Sequence, residues 1–494
     1  MKRIFALILA LLMMLGCFVS CNETPDVPDD SENGTHGESE SLTYPAVDPA
    51  NATLFVGYAR EDITPTEEMI PDLYLTGYSE GRPIEEIRDS IFVSCTAFRD
   101  AEGDTALVYT LDLHSMQPAQ ATAFCTKITK ATKVAKTNVI LNVTHNHAAP
   151  GLDSGSDFEA YVGDAIVRAA EAAIADLKAC TVLYAGEVNM KYYSFVRRYH
   201  TENGDFYGVG HYGDDKIIAH ESEGDPMIPV ARFVRDGGKD VILVNFAAHC
   251  DTVKSYGAPN TLAADYVATF RRVVEEELDC HFSMQLGATG DLNPMTSLEN
   301  EPSFYGNGTT QYGKNLGYKI IEELKNLPQL EIKGDVEAVK SEVKVQVNHE
   351  TDDLFDEARE IWEAFEGAED KTHAKELMQK YGIATEYEAM FISVRYGKGE
   401  YERRGISAIS IGNIVFAAAD YEMFSKTGRT VKDAGNELFD LTFMCAYSNG
   451  MTSYIATDEA FDNGGYEVYS TVYVRGTAEK IADEIVELIE ELAK

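Results

Sequence analysis

Two histidines, His145 and His147, stand two residues apart in the segment THNHAAPG (144–151), after an apolar run and before a Pro-Gly turn. If this segment stays extended, both side chains point to the same face, because side chains alternate along a strand. Imidazole is a common zinc ligand. The pair therefore indicates either a metal site or, equally simply, polar residues at the point where a strand meets a loop.

Two more polar residues close apolar, strand-like runs in the same way. His249 ends DVILVNFAAH (240–249), and Glu422 ends FAAADYE (416–422). An isolated histidine at such a place can also be a hydrogen-bonded core residue. Two histidines and one glutamate nevertheless match the ligands of catalytic zinc sites that keep a position for water. Cys250, next to His249, is expected on the opposite face, in the core.

Three further segments carry side chains that can bind a polar substrate. The segment GATGDLNP (287–294) contains Asn293 in what reads as a turn after a strand, and turn formation alone can explain its composition. Arg197 lies in YSFVRRYH (193–200), while Tyr454 and Tyr466 lie in 449–467. Arginine and tyrosine donate hydrogen bonds to carbonyl or anionic oxygens, although each residue is ordinary by itself.

The elements that must position these residues alternate between strand-like and helical patterns. Strands are predicted at 105–113, 138–144, 240–249 and 281–289, a hairpin turning at Gly412-Asn413 at 406–422, and helices at 117–132, 156–179, 263–278, 352–382 (a pair) and 476–494. The alternation indicates an α/β fold with mixed sheet layers, flanking helices and one large domain over 53–494. Ligands in such folds collect at the carboxyl ends of strands.

Composition and the first 52 residues indicate which partners and which location to expect. The chain has 494 residues and a formal charge of −40, without a Lys/Arg-rich run, which argues against nucleic acid as a partner. Residues 1–21 read as an export signal. Its end, FVSC, resembles a bacterial lipobox, so Cys21 is expected to carry a lipid that anchors the protein to the cell envelope. The alternative is an ordinary cleaved signal in which this cysteine is incidental. Residues 22–52 are expected to form a disordered acidic tether.

Six cysteines remain beyond the signal segment, and they are scattered along the chain without close spacing. Export permits disulfides, but scattered cysteines in a large domain are more typical of buried free thiols. We therefore expect mostly free, buried cysteines.

Taken together and in this order, the segments resemble the neutral/alkaline non-lysosomal ceramidase family. The matching runs extend from about residue 54 to the C-terminus and are VGYAREDITP (56–65), LTGY (75–78), THNHAAPG, FVRRY, NFAAHC, GDLNP, DYE and NGMTSYIAT…GGYE. The HxH-x-x-PG element and the closing Y-x11-Y-E element are the specific ones.

The resemblance implies a single catalytic zinc ion and a set of residues around it. The implied ligands are His145, His249, Glu422 and Tyr454, and the implied site-lining residues, which hold the substrate amide or the developing oxyanion, are His147, Arg197 and Tyr466. The implied activity is hydrolysis of an amide in a ceramide-like N-acyl substrate by zinc-activated water. The expected partners are a small-molecule or lipid substrate, with membrane contact only through the lipid anchor.

The sequence departs from the family in two places. Family members have a serine in a GDxSPN element, where this chain has Asn293, so a mechanism that needs this hydroxyl is excluded. The chain also ends one helix after the Y-E element, so we expect no C-terminal immunoglobulin-like domain. These departures keep two alternatives open: a zinc hydrolase of another small acyl, ester or glycan-linked substrate, and a non-catalytic surface binding protein. The 352–382 segment is a candidate wall of the substrate entrance.

Overall fold

The computed structural model describes residues 44–494 except 79, 80, 205, 209–215, 256, 367 and 369. The predicted export signal, Cys21 and the tether up to residue 43 lie outside the described residues. The remaining end of the predicted tether contacts the domain, because the Val47 N–H donates to the Thr181 carbonyl (2.9 Å) and Pro49–Asn51 form a 3-10 turn. No helix in the described part of the chain has the length and apolar character needed to cross a membrane.

The largest sheet of the described chain is a mixed sheet of nine strands. Its long strands are β1 (Leu54–Asp62), β2 (Phe92–Asp100), β3 (Thr105–Leu111), β4 (Val139–Val143), β5 (Lys178–Asn189), β6 (Met227–Arg235), β7 (Val241–Phe246) and β8 (His281–Leu286). Their spatial order is β8-β7-β6-β5-β1-β2-β3-β4, and a short strand, Gln329–Leu330, also pairs with β5. Neighbours are antiparallel except for the parallel pairs β3–β4 and β7–β8.

A second sheet has the order β9-β10-β11-β12. Its strands are β9 (Val336–Gln346), β10 (Tyr401–Ile411), β11 (Ile414–Ala419) and β12 (Leu441–Cys445). The β10–β11 pair confirms the predicted hairpin at Gly412-Asn413. Gly412 has a φ of +55°, and a Cβ there would lie 2.1 Å from the Lys333 carbonyl oxygen, so only glycine fits this turn. The last pair, β11–β12, is parallel.

Twelve helices are found among the described residues. They are α1 (Pro118–Thr132), α2 (Asp157–Ala175), α3 (Thr252–Ser255), α4 (Asp265–Leu278), α5 (Thr309–Glu323), α6 (Phe355–Phe365), α7 (Thr372–Tyr381), α8 (Glu386–Arg395), α9 (Ser425–Asn436), α10 (Asp458–Asn463), α11 (Tyr466–Tyr469) and α12 (Thr477–Leu492). The helix predicted at 156–179 ends earlier, because Lys178 already begins β5. The predicted pair at 352–382 is α6 and α7, and α8 adds a third helix to this insertion between β9 and β10.

The two sheets pack face to face through an apolar layer, in which Phe98 of the large sheet contacts Phe416 of the second sheet (ring centroids 6.0 Å apart). Helix α2 covers β1 and β2, and α4 packs on β8. Helix α9 packs on β12, and α12 covers β9 and β10. The result is a helix–sheet–sheet–helix arrangement in one compact unit, which confirms the predicted α/β fold with mixed sheets and flanking helices.

Asn142 holds strand ends from both sheets together. Its Oδ1 accepts a hydrogen bond from the Leu286 N–H of β8 (2.7 Å), and its Nδ2 donates to the Ala446 carbonyl just after β12 (2.5 Å). The side chain is fully buried, so these bonds replace backbone pairing where the edge strands β4 and β8 approach each other. The carboxyl ends of β4, β8 and β12 therefore lie side by side.

All six cysteines of the described chain are free and buried, which confirms the prediction. They are Cys95, Cys125, Cys180, Cys250, Cys280 and Cys445.

Candidate metal centre

Three strand ends bring His145, His249 and Glu422 to one place. They follow β4, β7 and β11, respectively. One potential ligand atom from each side chain lies within 4.8 Å of those from the other two, and all three residues are buried. We call this set the buried trio. The contact joins residues up to 277 positions apart in the chain (422 − 145), so it depends on the packing of the two sheets.

The distances within the buried trio suit a common ion. Nε2 of His145 lies 3.6 Å from Oε2 of Glu422, and Nε2 of His249 lies 3.8 Å from the same oxygen. Both His249 Nε2 and Glu422 Oε2 are buried and have no hydrogen-bond partner among the described residues. A buried polar atom without a partner is costly, so a group that coordinates both of them would stabilise this arrangement.

Hydrogen bonds set which nitrogen of each histidine faces the site. Nδ1 of His145 lies 3.1 Å from the His114 carbonyl oxygen. Nδ1 of His249 lies 3.0 Å from the Leu292 carbonyl oxygen. A carbonyl only accepts, so each Nδ1 carries the proton and each Nε2 presents a lone pair toward Glu422. This is how metal-binding histidines are oriented by their second nitrogen.

Burial controls the protonation of the site. It lowers the pKa of His145, His147 and His249 well below the usual range, so these imidazoles are neutral. Burial also raises the pKa of Glu422 to about 7, an effect opposed by a hydrogen bond from Tyr454. Neutral imidazoles are the form that binds a metal ion.

The segment that holds His145 and His147 was expected to be extended, but it is not. Strand β4 ends at Val143, and His145 has a φ of +54°, in the left-handed region that a non-glycine residue rarely adopts. The two rings still meet, edge to face, with their Nε2 atoms 3.1 Å apart. His147 is only partly buried, and its Nδ1 has no hydrogen-bond partner among the described residues.

Tyr454 and Arg197 form the next layer of the site. The strand Tyr454–Ile455 runs parallel to Glu422–Met423, which places Tyr454 beside Glu422. Arg197 donates from Nη2 to the Tyr454 hydroxyl (3.0 Å) and from Nη1 to Oδ1 of Asn293 (3.3 Å). The predicted turn at 287–294 contains a short strand, Leu292–Asn293, which pairs with Phe195–Val196 and so brings Asn293 next to Arg197.

Tyr466 completes the set of residues predicted from the sequence. Its ring centroid lies 5.6 Å from that of Tyr454, and the Arg197 guanidinium lies 6.0 Å from the Tyr466 ring. Tyr387 of α8 packs edge-on against Tyr466, with ring centroids 4.9 Å apart. The helical insertion therefore borders the site through one aromatic contact. Of the nine predicted site residues, the eight within the described chain come together; Cys21 lies outside it.

Glu467 is a site residue that sequence reasoning missed. It is fully buried and accepts hydrogen bonds from Arg197 Nε (2.8 Å) and Arg198 Nη1 (2.9 Å). Burial alone would raise its pKa, but the two guanidinium groups hold that pKa below the usual range. Two features of the sequence could have indicated it, the glutamate of the Y-E element and the tandem Arg197-Arg198. A buried arginine needs an anion as its partner.

His114 is the second missed residue. It follows β3, and its ring packs against that of His145 at a tilt of 32° (centroids 4.4 Å apart) and meets His147 edge-on (4.9 Å). The signal was a third histidine after a strand-like run. Asp112, the other polar residue at the end of β3, is not part of the site, because it forms a buried ion pair with Arg271 (2.7 Å).

No family model matches the sequence, and no curated protein matches it by sequence. Among solved structures, a neutral ceramidase from Pseudomonas aeruginosa superposes with a TM-score of 0.67 at 17% identity, covering 90% of this chain and 75% of that one. A structure described as a ceramidase complexed with C2 superposes with a TM-score of 0.65, at the same identity and coverage. The fold is that of neutral ceramidase. This confirms the predicted resemblance to the neutral ceramidases at the level of fold.

Within this neutral ceramidase fold, the donor set fits a zinc ion. Zinc takes imidazole nitrogen and carboxylate oxygen at about 2.0–2.2 Å, which places neighbouring ligands of a tetrahedron about 3.4 Å apart. The two distances of 3.6 and 3.8 Å in the buried trio are close to that spacing. Tyr454 lies beside Glu422 and is the remaining candidate ligand.

Proposed function

We propose that this protein is a zinc-dependent hydrolase that cleaves an amide bond in an N-acyl substrate, with ceramide-like lipids as the leading substrate class. The observation that carries the proposal is the convergence of two unpartnered, buried atoms, His249 Nε2 and Glu422 Oε2, beside the oriented Nε2 of His145. A fold shared with neutral ceramidases supports the choice of bond and substrate class.

In this proposal, His145, His249, Glu422 and Tyr454 hold the ion. Zinc, when bound, supplies a Lewis acid that polarises a carbonyl oxygen and lowers the pKa of water to about 7. The protein side chains do the rest. Arg197 and Tyr466 donate hydrogen bonds to the oxygen on which negative charge develops.

His147 is the proposed proton carrier. It is a neutral imidazole beside the ion site, and it is more accessible than His145 or His249. Its unpartnered Nδ1 can accept a proton, and the ring can then protonate the leaving nitrogen. Without this protonation an amine is a poor leaving group, so an amide needs such a residue more than an ester does.

Asn293 has a positioning function in this proposal. Its Oδ1 accepts a hydrogen bond from Arg197, and its side chain has no nucleophilic hydroxyl. The reaction therefore uses water as the nucleophile, without an acyl-enzyme intermediate at position 293. The binding-protein alternative is disfavoured, because the complete set of predicted ligands is retained at one place.

The test measures zinc content and amide hydrolysis on the same purified protein. Purified protein with one zinc ion per chain should release fatty acid from a ceramide, lose this activity with a chelator and regain it with zinc. Protein that holds no zinc and gains no activity on zinc addition would exclude the proposal.

A cavity next to the site favours a second candidate, hydrolysis of a more polar acyl substrate. This cavity has a volume of about 620 Å³ and is bordered by Phe195 and Val196, directly before Arg197. Its wall combines the acidic side chains Glu223, Asp225 and Glu301 with apolar ones, so it can accept a short acyl group that carries a polar substituent. Turnover of short or sugar-linked acyl substrates, with indifference to ceramide, would favour this candidate.

We also propose that the protein is exported and anchored to the bacterial envelope through a lipid on Cys21. The basis is the apolar segment and the FVSC sequence of the first 21 residues. Cys21→Ser should abolish incorporation of labelled fatty acid and release the protein from the membrane fraction. Unchanged labelling of the variant would refute the anchor.

A further inference from the structure

His114, His145 and His147 form a second cluster of metal-ligand atoms beside the buried trio. One ring nitrogen of each lies within 4.8 Å of those of the other two. We call this set the histidine trio. It shares His145 with the buried trio, so the two groups meet at a single side chain.

The two trios differ in access to solvent. His114 and His147 are partly buried, whereas all three members of the buried trio are buried. His114 and His147 therefore form the more accessible side of the two clusters. The histidine trio lies on that side and includes His145.

The two trios also differ in the strength expected for a divalent cation. The histidine trio offers three imidazoles but no carboxylate, and Arg82 donates a hydrogen bond to the His147 carbonyl close by. The buried trio includes the Glu422 carboxylate, whose negative charge attracts the ion. An ion should therefore bind less tightly to the histidine trio than to the buried trio.

Only one of the two ion positions can be filled at a time, because both use the same nitrogen of His145. Nδ1 of His145 faces the His114 carbonyl, so only Nε2 has a lone pair for an ion. His147 Nε2 lies 3.1 Å from this same nitrogen and donates a hydrogen bond to it. An ion on the His145 nitrogen takes the place of that hydrogen bond, whichever trio it occupies.

We propose that the histidine trio is a second position for the zinc ion, from which the ion passes to the buried trio while His145 remains a ligand. This inference rests on the proposed zinc centre. It gives His114 a function in metal capture, as a transient ligand outside the final coordination sphere.

The test uses cobalt(II) as a spectroscopic probe in His249→Ala, where the buried trio is incomplete. This variant should still bind about one Co²⁺ per chain, at least tenfold more weakly than wild type. The double variant His114→Ala/His249→Ala should lose this ion. His349→Ala/His249→Ala is the matched control, since His349 bonds to Asp352 away from the site, and it should behave like His249→Ala. Circular dichroism checks that each variant is folded.

Two results would overturn the inference: a folded His249→Ala that binds no Co²⁺, or one whose Co²⁺ is unaffected by His114→Ala. If His249→Ala does not fold, loading kinetics in the otherwise intact protein decide. His114→Ala should then slow Co²⁺ uptake by metal-free protein several-fold and reach the same final stoichiometry, and an unchanged rate would overturn the inference. Wild type that binds one ion while these tests fail leaves the proposed hydrolase function standing. Wild type that binds no ion removes both.

Discussion

Glu422 and Tyr454 lie directly opposite each other on two short parallel strands, Glu422–Met423 and Tyr454–Ile455. The pairing is backbone hydrogen bonding, so it fixes the separation of the two side chains independently of any ion. The Tyr454 hydroxyl also accepts a hydrogen bond from Arg197. One pair of strands thus connects the proposed metal ligands to the proposed oxyanion-binding residue.

His145→Ala should remove most of the bound zinc. His145 belongs to both the buried trio and the histidine trio, so its loss breaks both sets and leaves only His249, Glu422 and Tyr454 of the proposed ligands. Zinc content measured by atomic emission should fall from one per chain to a small fraction of that, and hydrolysis should fall with it. His349→Ala is the control and should keep full zinc. A His145→Ala protein with full zinc would refute the assignment of the site.

Arg197→Met should lower kcat while leaving zinc bound. The loss of one oxyanion-stabilising donor costs about 2.7–4 kcal/mol in the barrier, or about 10²–10³ in kcat. The measurement combines steady-state kinetics with zinc content. Arg232→Met, which removes a partly exposed ion pair with Asp240, should retain the wild-type rate. A kcat close to wild type in Arg197→Met would exclude its proposed function.

Glu467→Gln should destabilise the fold and disturb the site together. The change leaves Arg197 and Arg198 without their shared anion in the interior, and breaking a buried pair typically costs about 3–5 kcal/mol. Urea unfolding gives the free energy of unfolding. Glu459→Gln is the matched control: its partner Lys426 is exposed, so the loss should be about 1 kcal/mol or less. Equal stability of the two variants would contradict a stabilising role for the buried ion pairs of Glu467 with Arg197 and Arg198.

Tyr387→Ala should change the preference for acyl chains without removing zinc. The contact of Tyr387 with Tyr466 joins the helical insertion to the site. An aromatic pair is worth about 0.5–1.5 kcal/mol, so the ratio of kcat/KM between long and short acyl substrates should change by about 2- to 12-fold. Tyr396→Ala, at the end of α8 and away from Tyr466, serves as the control. The same ratio in all three proteins would exclude the insertion as a substrate-contacting wall.

Acid should weaken the fold in part through Glu402. Burial alone would raise the pKa of this carboxyl, but hydrogen bonds from Lys398, Arg404 and Tyr473 lower it from 4.5 to about 2. Its folded-state pKa is depressed, so its contribution is fully present above about pH 4.5 and is lost as the pH falls toward 2.

Glu402→Gln isolates that contribution. Urea unfolding of chelator-treated wild type and variant should differ most at pH 6 and converge as the pH approaches 2. Use of chelated protein removes metal release as a second cause of acid lability. A stability difference between the two proteins that does not change with pH would contradict the assigned cause.

Several elements could be predicted because their signals are local. Apolar runs identified β3, β4, β7, β8 and the β10–β11 hairpin, and helical periodicity identified α1, α4 and α12. The end of α2 was misplaced, and the elements that were not predicted include β1, β2, β5, β6, β9, β12, α5, α8 and α9. Periodicity locates the middle of an element, whereas its ends depend on competing contacts.

The candidate site could be predicted only in part, for the same reason. His145, His249 and Glu422 were visible as polar residues after apolar strands, whereas Tyr454 was implied as a ligand only by the resemblance. The order of motifs pointed to the neutral ceramidase fold. Glu467 stood in the Y-x11-Y-E element and His114 after a strand-like run, but neither position showed what the side chain contacts. Both became identifiable only from their neighbours: the ring of His114 packs on His145, and Glu467 bridges Arg197 and Arg198.

By itself, the sequence determined the residue types, the strand ends at which they stand and the absence of a hydroxyl at Asn293. Tertiary structure alone decided that His145, His249 and Glu422 share one centre. Side-chain bonds such as those of Asn142 align strand ends from two sheets, and the left-handed backbone of His145 turns its ring toward the others. These interactions span hundreds of residues, so no local pattern contains them.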